Sequence, residues 1–176
     1  MSGTAIIGTV VPVSVERWSV RVAGIAVDIP SSGRPAGRLV VASDAGGAPT
    51  IELVADFTSD DVALPVQLHD AAEALRSRLE GLAVDRVVVR RADRPPKASN
   101  AEGPKLRLLM EGALTSAARS VILDTRIGTG KDTGAWFGSG KAAVDAAAGG
   151  LLSSGSRHAR YREATSAALA GLALGP

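Results

Sequence analysis

The stretch GIAVDIPSSGRPAGRLVV, Gly24 to Val41, reads as two strands joined by a tight turn. Upstream, RWSVRVAGIAVDI (Arg17 to Ile29) is rich in β-branched residues and is halted by Pro30. Proline cannot donate to a sheet ladder, and Ser-Ser-Gly-Arg-Pro supplies the residues a turn needs. GRLVVASD then resumes the strand pattern, and PTIELVADF repeats it after the turn signal DAGGAP. Three strands with such short connections predict an antiparallel meander.

Beyond Phe57 the period changes. LPVQLHDAAEALRSRLEGL places Leu64, Leu68, Ala71, Ala72, Leu75 and Leu79 on one helical stripe, with Gly81 at its end. AVDRVVVRR is a short continuous apolar run, the pattern of a strand buried on both faces. Ala92 to Pro104 is a polar, Pro/Ser-rich connection. KLRLLMEGALTSAAR presents Leu106, Leu109, Met110, Ala113, Leu114 and Ala117 as a second apolar stripe, and SVILDTRI follows as a fifth strand. Helices from about Lys141 to Leu152 and about Tyr161 to Leu172 complete one domain over residues 1–176, with residues 1–15 as an extra strand or an arm. This order predicts an α/β protein with a mixed five-stranded sheet flanked by helices, the order of the ribonuclease H-like fold.

Composition narrows the function. The 176 residues are 45% hydrophobic and 22% charged but only 3% aromatic, so Val, Leu, Ile and Ala must build the core. The absence of Cys excludes disulfides, thiolate metal sites and cysteine nucleophiles. No apolar run is long enough to span a bilayer, which together with the missing Cys suits a cytosolic protein. The net charge of +2 hides a division: residues 1–85 balance at −5 and residues 86–176 at +7. A basic half on a nearly neutral chain favours a polyanionic partner, if its cations share one face.

Three stretches resemble the RuvC-type Holliday-junction resolvases, a nuclease branch of the ribonuclease H-like fold. GIAVDIPSSGRPAGRLVV is similar to the family's first hairpin, and LEGLAVDRVVVRR to the passage from its first helix into its fourth strand. KLRLLMEGALTSAA, AWFGSGKAAVDAAAGGLL and YREATSAALAGLAL resemble its later helices in order and spacing. The resemblance covers about residues 20–172. It implies Mg²⁺-dependent phosphodiester hydrolysis, in which carboxylates from the first strand, the fourth strand and the last helix hold two metal ions. It also implies a DNA partner and a homodimer.

On that resemblance Asp28 takes the place of the first metal-binding aspartate and Glu163 that of an acidic residue on the last helix. At the end of the fourth strand, where a glutamate belongs, the chain has Arg90 and Arg91, with Asp93 just beyond. A guanidinium there opposes Mg²⁺ and is expected to pair with Asp28 instead. The candidate catalytic set is therefore the degenerate Asp28, Asp93 and Glu163, with Asp28 and Glu163 as weak metal ligands. Each residue also has an ordinary explanation. Asp28 before Ile-Pro starts a turn, and Glu163 in a first helical turn complements the helix dipole. His158 lies in a polar loop where histidines are usually solvated, and His69 reads as a partly buried bystander.

IGTGKDTGAWFGSGKAAVDAAAG, from Ile127, holds two glycine-rich turns that end at Lys131 and Lys141. A Walker A loop is excluded, because Ala135 and Ala142 stand where its first glycine and its hydroxyl belong, and Thr125 and Asp132 fail in the same way for Lys131. The resemblance instead puts Lys141 at a helix start facing a phosphate, where Gly138 and Gly140 admit close approach. Trp136 and Phe137 either stack on exposed bases or anchor the loop to the core. The expected nucleic-acid contacts are Arg90, Arg91, Arg94, Lys97, Lys105, Arg107, Lys131 and Lys141. The leading expectation is a nucleic-acid-binding domain for branched or structured DNA with weakened or lost nuclease activity. The alternatives are an active Mg²⁺-dependent nuclease and a structural subunit of a larger assembly.

Overall fold

The computed structural model describes residues 19–31, 33–44, 47–93, 101–155 and 157–175. The expected hairpin forms: β1 (Arg21–Asp28) and β2 (Ala36–Ser43) pair antiparallel, and β3 (Thr50–Phe57) pairs antiparallel with β2. Helix α1 (Leu64–Glu80) then carries the chain to β4 (Arg86–Arg90), which lies parallel to β1. After α2 (Glu102–Val121), β5 (Thr125–Gly128) adds parallel to β4. The sheet order β3-β2-β1-β4-β5 makes β1 the central strand. Helices α3 (Gly130–Phe137), α4 (Lys141–Ser154) and α5 (Arg162–Ala173) follow, the last entered through a short 3₁₀ turn at Ala159–Tyr161.

Strand alternation distributes the core between the two faces. Ala23, Ile25, Val27, Leu39, Val41, Val87 and Val89 pack under Ala71, Leu75 and Leu79 of α1 and Met110, Leu114 and Ala118 of α2. On the other face, Ala26, Val40 and Ala42 meet Ala164 and Ala168 of α5 and Leu152 of α4. A chain poor in aromatics fills this layer by close approach rather than by bulk. A Cβ on Gly24 would lie 2.0 Å from the Ala164 carbonyl oxygen, and one on Gly171 would lie 2.5 Å from Val22 Cγ1. Helix α5 therefore rests directly on the backbone of β1. Among the described residues, no helix is long and apolar enough to cross a membrane.

Several boundaries differ from the sequence reading. Helix α2 starts at Glu102, three residues early, because Pro104 falls in the first turn, where its missing N–H has no helical partner to lose. Its buried face runs through Met110, Glu111, Leu114 and Ala118, leaving Leu109 exposed. Ser120 and Val121 close α2 rather than opening β5. The first glycine-rich turn is helix α3, started by a capping box in which Thr129 and Asp132 exchange side-chain and backbone hydrogen bonds. The expected arm at residues 1–15 lies outside the described residues.

Candidate carboxylate site and nucleic-acid interface

The parallel strands β1, β4 and β5 end on the same edge of the sheet, the edge at which open α/β sheets place their ligands. Asp28 is the last residue of β1 and is half exposed. Two residues earlier, Ala26 stands in register with Arg38 of β2 on one side and Arg90 of β4 on the other. Both arginines share the face that α5 covers, and both side chains are more than nine-tenths buried. Arg38 donates to Asp28 at 3.3 Å and pairs with Asp56 at 3.1 Å, while Arg160 reaches the other oxygen of Asp56 at 2.8 Å. Arg90 pairs with Asp145 of α4 at 3.1 Å and donates to the Thr133 hydroxyl at 3.2 Å; Ser166 of α5 also donates to Asp145, at 2.8 Å. The guanidinium that pairs with Asp28 is thus Arg38 of β2 and not, as expected, one at the end of the fourth strand, since Arg90 turns to α4.

The other two candidate carboxylates are likewise paired with cations. Asp93 accepts the Gly130 N–H at 2.7 Å and a bond from Lys141 Nζ. Burial works to raise the Asp93 carboxyl, but the bonds from Lys141 and Gly130 outweigh it and hold the group below the usual aspartate range. Glu163, in the first turn of α5, accepts from Arg107 of α2. Arg107 also pairs with the buried Glu111, whose Oε1 takes the Ala92 N–H at 2.8 Å. Burial opposes the charge on Arg107, yet Glu111 and Glu163 push its pKa up. Residues 91–93 are therefore pinned to four elements: Arg91 N–H to Gly128 of β5 at 2.8 Å, Ala92 to α2 and Asp93 to α3 and α4.

Of the expected nucleic-acid contacts, Arg91 and Lys131 are exposed and form no ion pair among the described residues. Lys141 and Lys105 are exposed but paired, Lys141 with Asp93 and Lys105 with Glu102 at 2.9 Å. Arg107 is engaged by two glutamates. Arg90, with 2% of its side chain exposed, is an interior ion-pair partner and is removed from the set of surface contacts. Arg94 and Lys97 lie outside the described residues. Trp136 packs beside Val22, Val88 and Ala167, and Phe137 beside Val144, Ala148 and Leu169, so both anchor α3 to the core. His158 is exposed and accepts the Arg160 N–H at 3.0 Å, and His69, expected to be partly buried, is exposed.

Comparison with solved structures decides what this arrangement is built on. Thermus thermophilus RuvC in complex with a Holliday-junction substrate matches with a TM-score of 0.65 at 16% identity, over 88% of this chain and 93% of that one. A second T. thermophilus RuvC structure matches with a TM-score of 0.63 at 17% identity, over 88% and 94%. The chain has the RuvC fold. No protein-family model matches the sequence, and no curated protein does.

On the RuvC fold, the residues present do not fit the two-magnesium centre that the resemblance implies. Among the described residues, no three carboxylates or histidines come together to hold a metal ion. Asp28, Asp93 and Glu163 each face a different cationic side chain, and two buried guanidinium groups flank the strand that carries Asp28. Sequence reading missed Arg38, Asp145 and Glu111. Arg38 carried a usable signal, since strand alternation puts it on the same inward face as Val40 and Ala42.

Proposed function

We propose that this chain is a nucleic-acid-binding domain for branched or otherwise structured DNA, with weakened or lost nuclease chemistry. The observation that carries the reading is the pair Arg38 and Arg90, in register on either side of Ala26 and two residues before Asp28. Fixed positive charge occupies the neighbourhood where divalent cations would have to enter, and a carboxylate already satisfied by a guanidinium is a poor metal ligand. DNA as the partner rests on the RuvC fold, one of whose members is seen on a Holliday junction. The +7 balance of residues 86–176 and the exposed Arg91, Lys131 and Lys141 support it.

The test is to incubate the protein with a labelled four-way DNA junction and Mg²⁺ or Mn²⁺ and to follow complex and products together. A salt-sensitive complex without cleavage is the expected result. Metal-dependent nicks that Asp28→Asn abolishes would restore the active Mg²⁺-dependent nuclease. A second reading, a subunit that uses the fold for protein assembly or homodimerisation, is favoured by Leu108 and Leu109, which lie about half exposed side by side on α2. A stable complex with another protein, without nucleic-acid binding at low salt, would support it.

A further inference from the structure

Three groups converge on Gly130, the first residue of α3. A Cβ there would lie 2.4 Å from Arg90 Nη2, 2.9 Å from Asp93 Oδ1 and 2.9 Å from Lys141 Cδ. Only a glycine leaves room for this cluster. One oxygen of Asp93 accepts the Gly130 N–H at 2.7 Å, and the other accepts from Lys141 Nζ. An ammonium and a backbone amide, with a guanidinium behind them, are the donors that also take the oxygens of a phosphate. Here they hold a carboxylate of the chain itself. That carboxylate is not locked into the core: the side chains of Asp93 and Lys141 are 42% and 48% exposed.

We infer that Asp93 is an internal competitor that fills the Lys141–Gly130 anion pocket of the free protein and must leave it before a nucleic-acid phosphate can enter. The inference rests on the proposed DNA binding and adds a restraint on it. While Asp93 stays in place, Lys141 is neutralised and a like charge faces any approaching phosphate. Once it leaves, Lys141 becomes a phosphate contact and releases counterions like any other. An exposed ion pair of this kind is weak enough for a polyanion to replace, so the restraint should lower affinity about twofold to fivefold. Asp93 is then a regulator of binding and takes no part in hydrolysis.

Affinity for a labelled four-way DNA junction, measured against salt for wild type, Asp93→Asn, Lys141→Ala and the double variant, tests this. Asp93→Asn keeps an acceptor for the Gly130 N–H but removes the charge. It should bind about twofold to fivefold tighter, with a log–log salt slope steeper by about one. In the Lys141→Ala background most of that gain should vanish. A folded Asp93→Asn protein that binds no tighter than wild type overturns the inference while leaving DNA binding intact. So does a gain that persists undiminished without Lys141, which would mark a general charge effect. No salt-dependent binding by either wild type or Asp93→Asn overturns both the inference and the proposed function. If Asp93→Asn lacks a cooperative melt, Asp93→Ser takes its place, since its hydroxyl can still accept the Gly130 N–H.

Discussion

Arg90→Met separates an interior ion pair from a surface contact. The Arg90 guanidinium is 2% exposed and meets Asp145 at 3.1 Å and Thr133 at 3.2 Å. Methionine retains much of the apolar stem but leaves the Asp145 carboxylate without its cation. Breaking a buried pair on one side costs about 3–5 kcal/mol. Asp145 keeps the Ser166 hydroxyl at 2.8 Å and is 26% exposed to water, so the lower end applies, about 3 kcal/mol. For a domain of this size that lowers Tm by about 6–12 °C. Arg90→Met with Asp145→Leu removes both charges and should recover at least about half of the loss. Urea denaturation of wild type, single and double variants measures this, with an unchanged m-value confirming that the compared states are the same. An Arg90→Met protein within about 0.5 kcal/mol of wild type would refute the reasoning. A double variant less stable than the single would do so as well.

Gly24→Ala should destabilise by at least about 3 kcal/mol, beyond ordinary overpacking, because its Cβ would lie 2.0 Å and 2.5 Å from backbone atoms of α5. A melt that matches wild type would show that α5 does not rest on β1. Burial works to raise the Asp124 carboxyl, but Arg126 and Arg86 overcome it and hold the group below its ordinary value. A lowered folded pKa gives stability that is present above the unfolded value of about 3.9 and lost as pH falls through the folded value. The urea midpoint of Asp124→Asn should therefore lie below wild type at neutral pH and converge with it in acid; a constant gap down to pH about 3 would contradict this. Lys131→Ala should flatten the salt slope of DNA binding by about one and weaken binding alike across sequences; an unchanged slope would remove α3 from the interface.

The meander and the buried fourth strand were legible because proline, glycine and β-branched residues act locally. Helix α3 was not, because Gly130 and Gly134 resemble loop residues until the tertiary structure shows their purpose. A Cβ on Gly134 would lie 2.2 Å from Lys141 N, so that glycine permits the tight elbow between α3 and α4. Glu111 escaped notice for a similar reason. An apolar stripe assigns a glutamate to solvent, and only the Ala92 N–H and the Arg107 guanidinium, brought together by the fold, make its burial tolerable. The candidate carboxylates were visible from the resemblance. Their cationic partners were only partly so, because ion pairs between separate elements leave no periodic trace in the sequence: Arg38 and Asp145 lie 10 and 55 residues from the residues they pair with, Asp28 and Arg90.

Titration of a four-way DNA junction across about 50–200 mM salt, with Mg²⁺ present and products resolved in the same samples, tests the central claim most directly. With roughly four to five phosphate contacts, the expected log–log slope is about −4, with the junction strands intact at every point. Binding that ignores salt, or a junction cut in a metal-dependent way that requires Asp28, would contradict it.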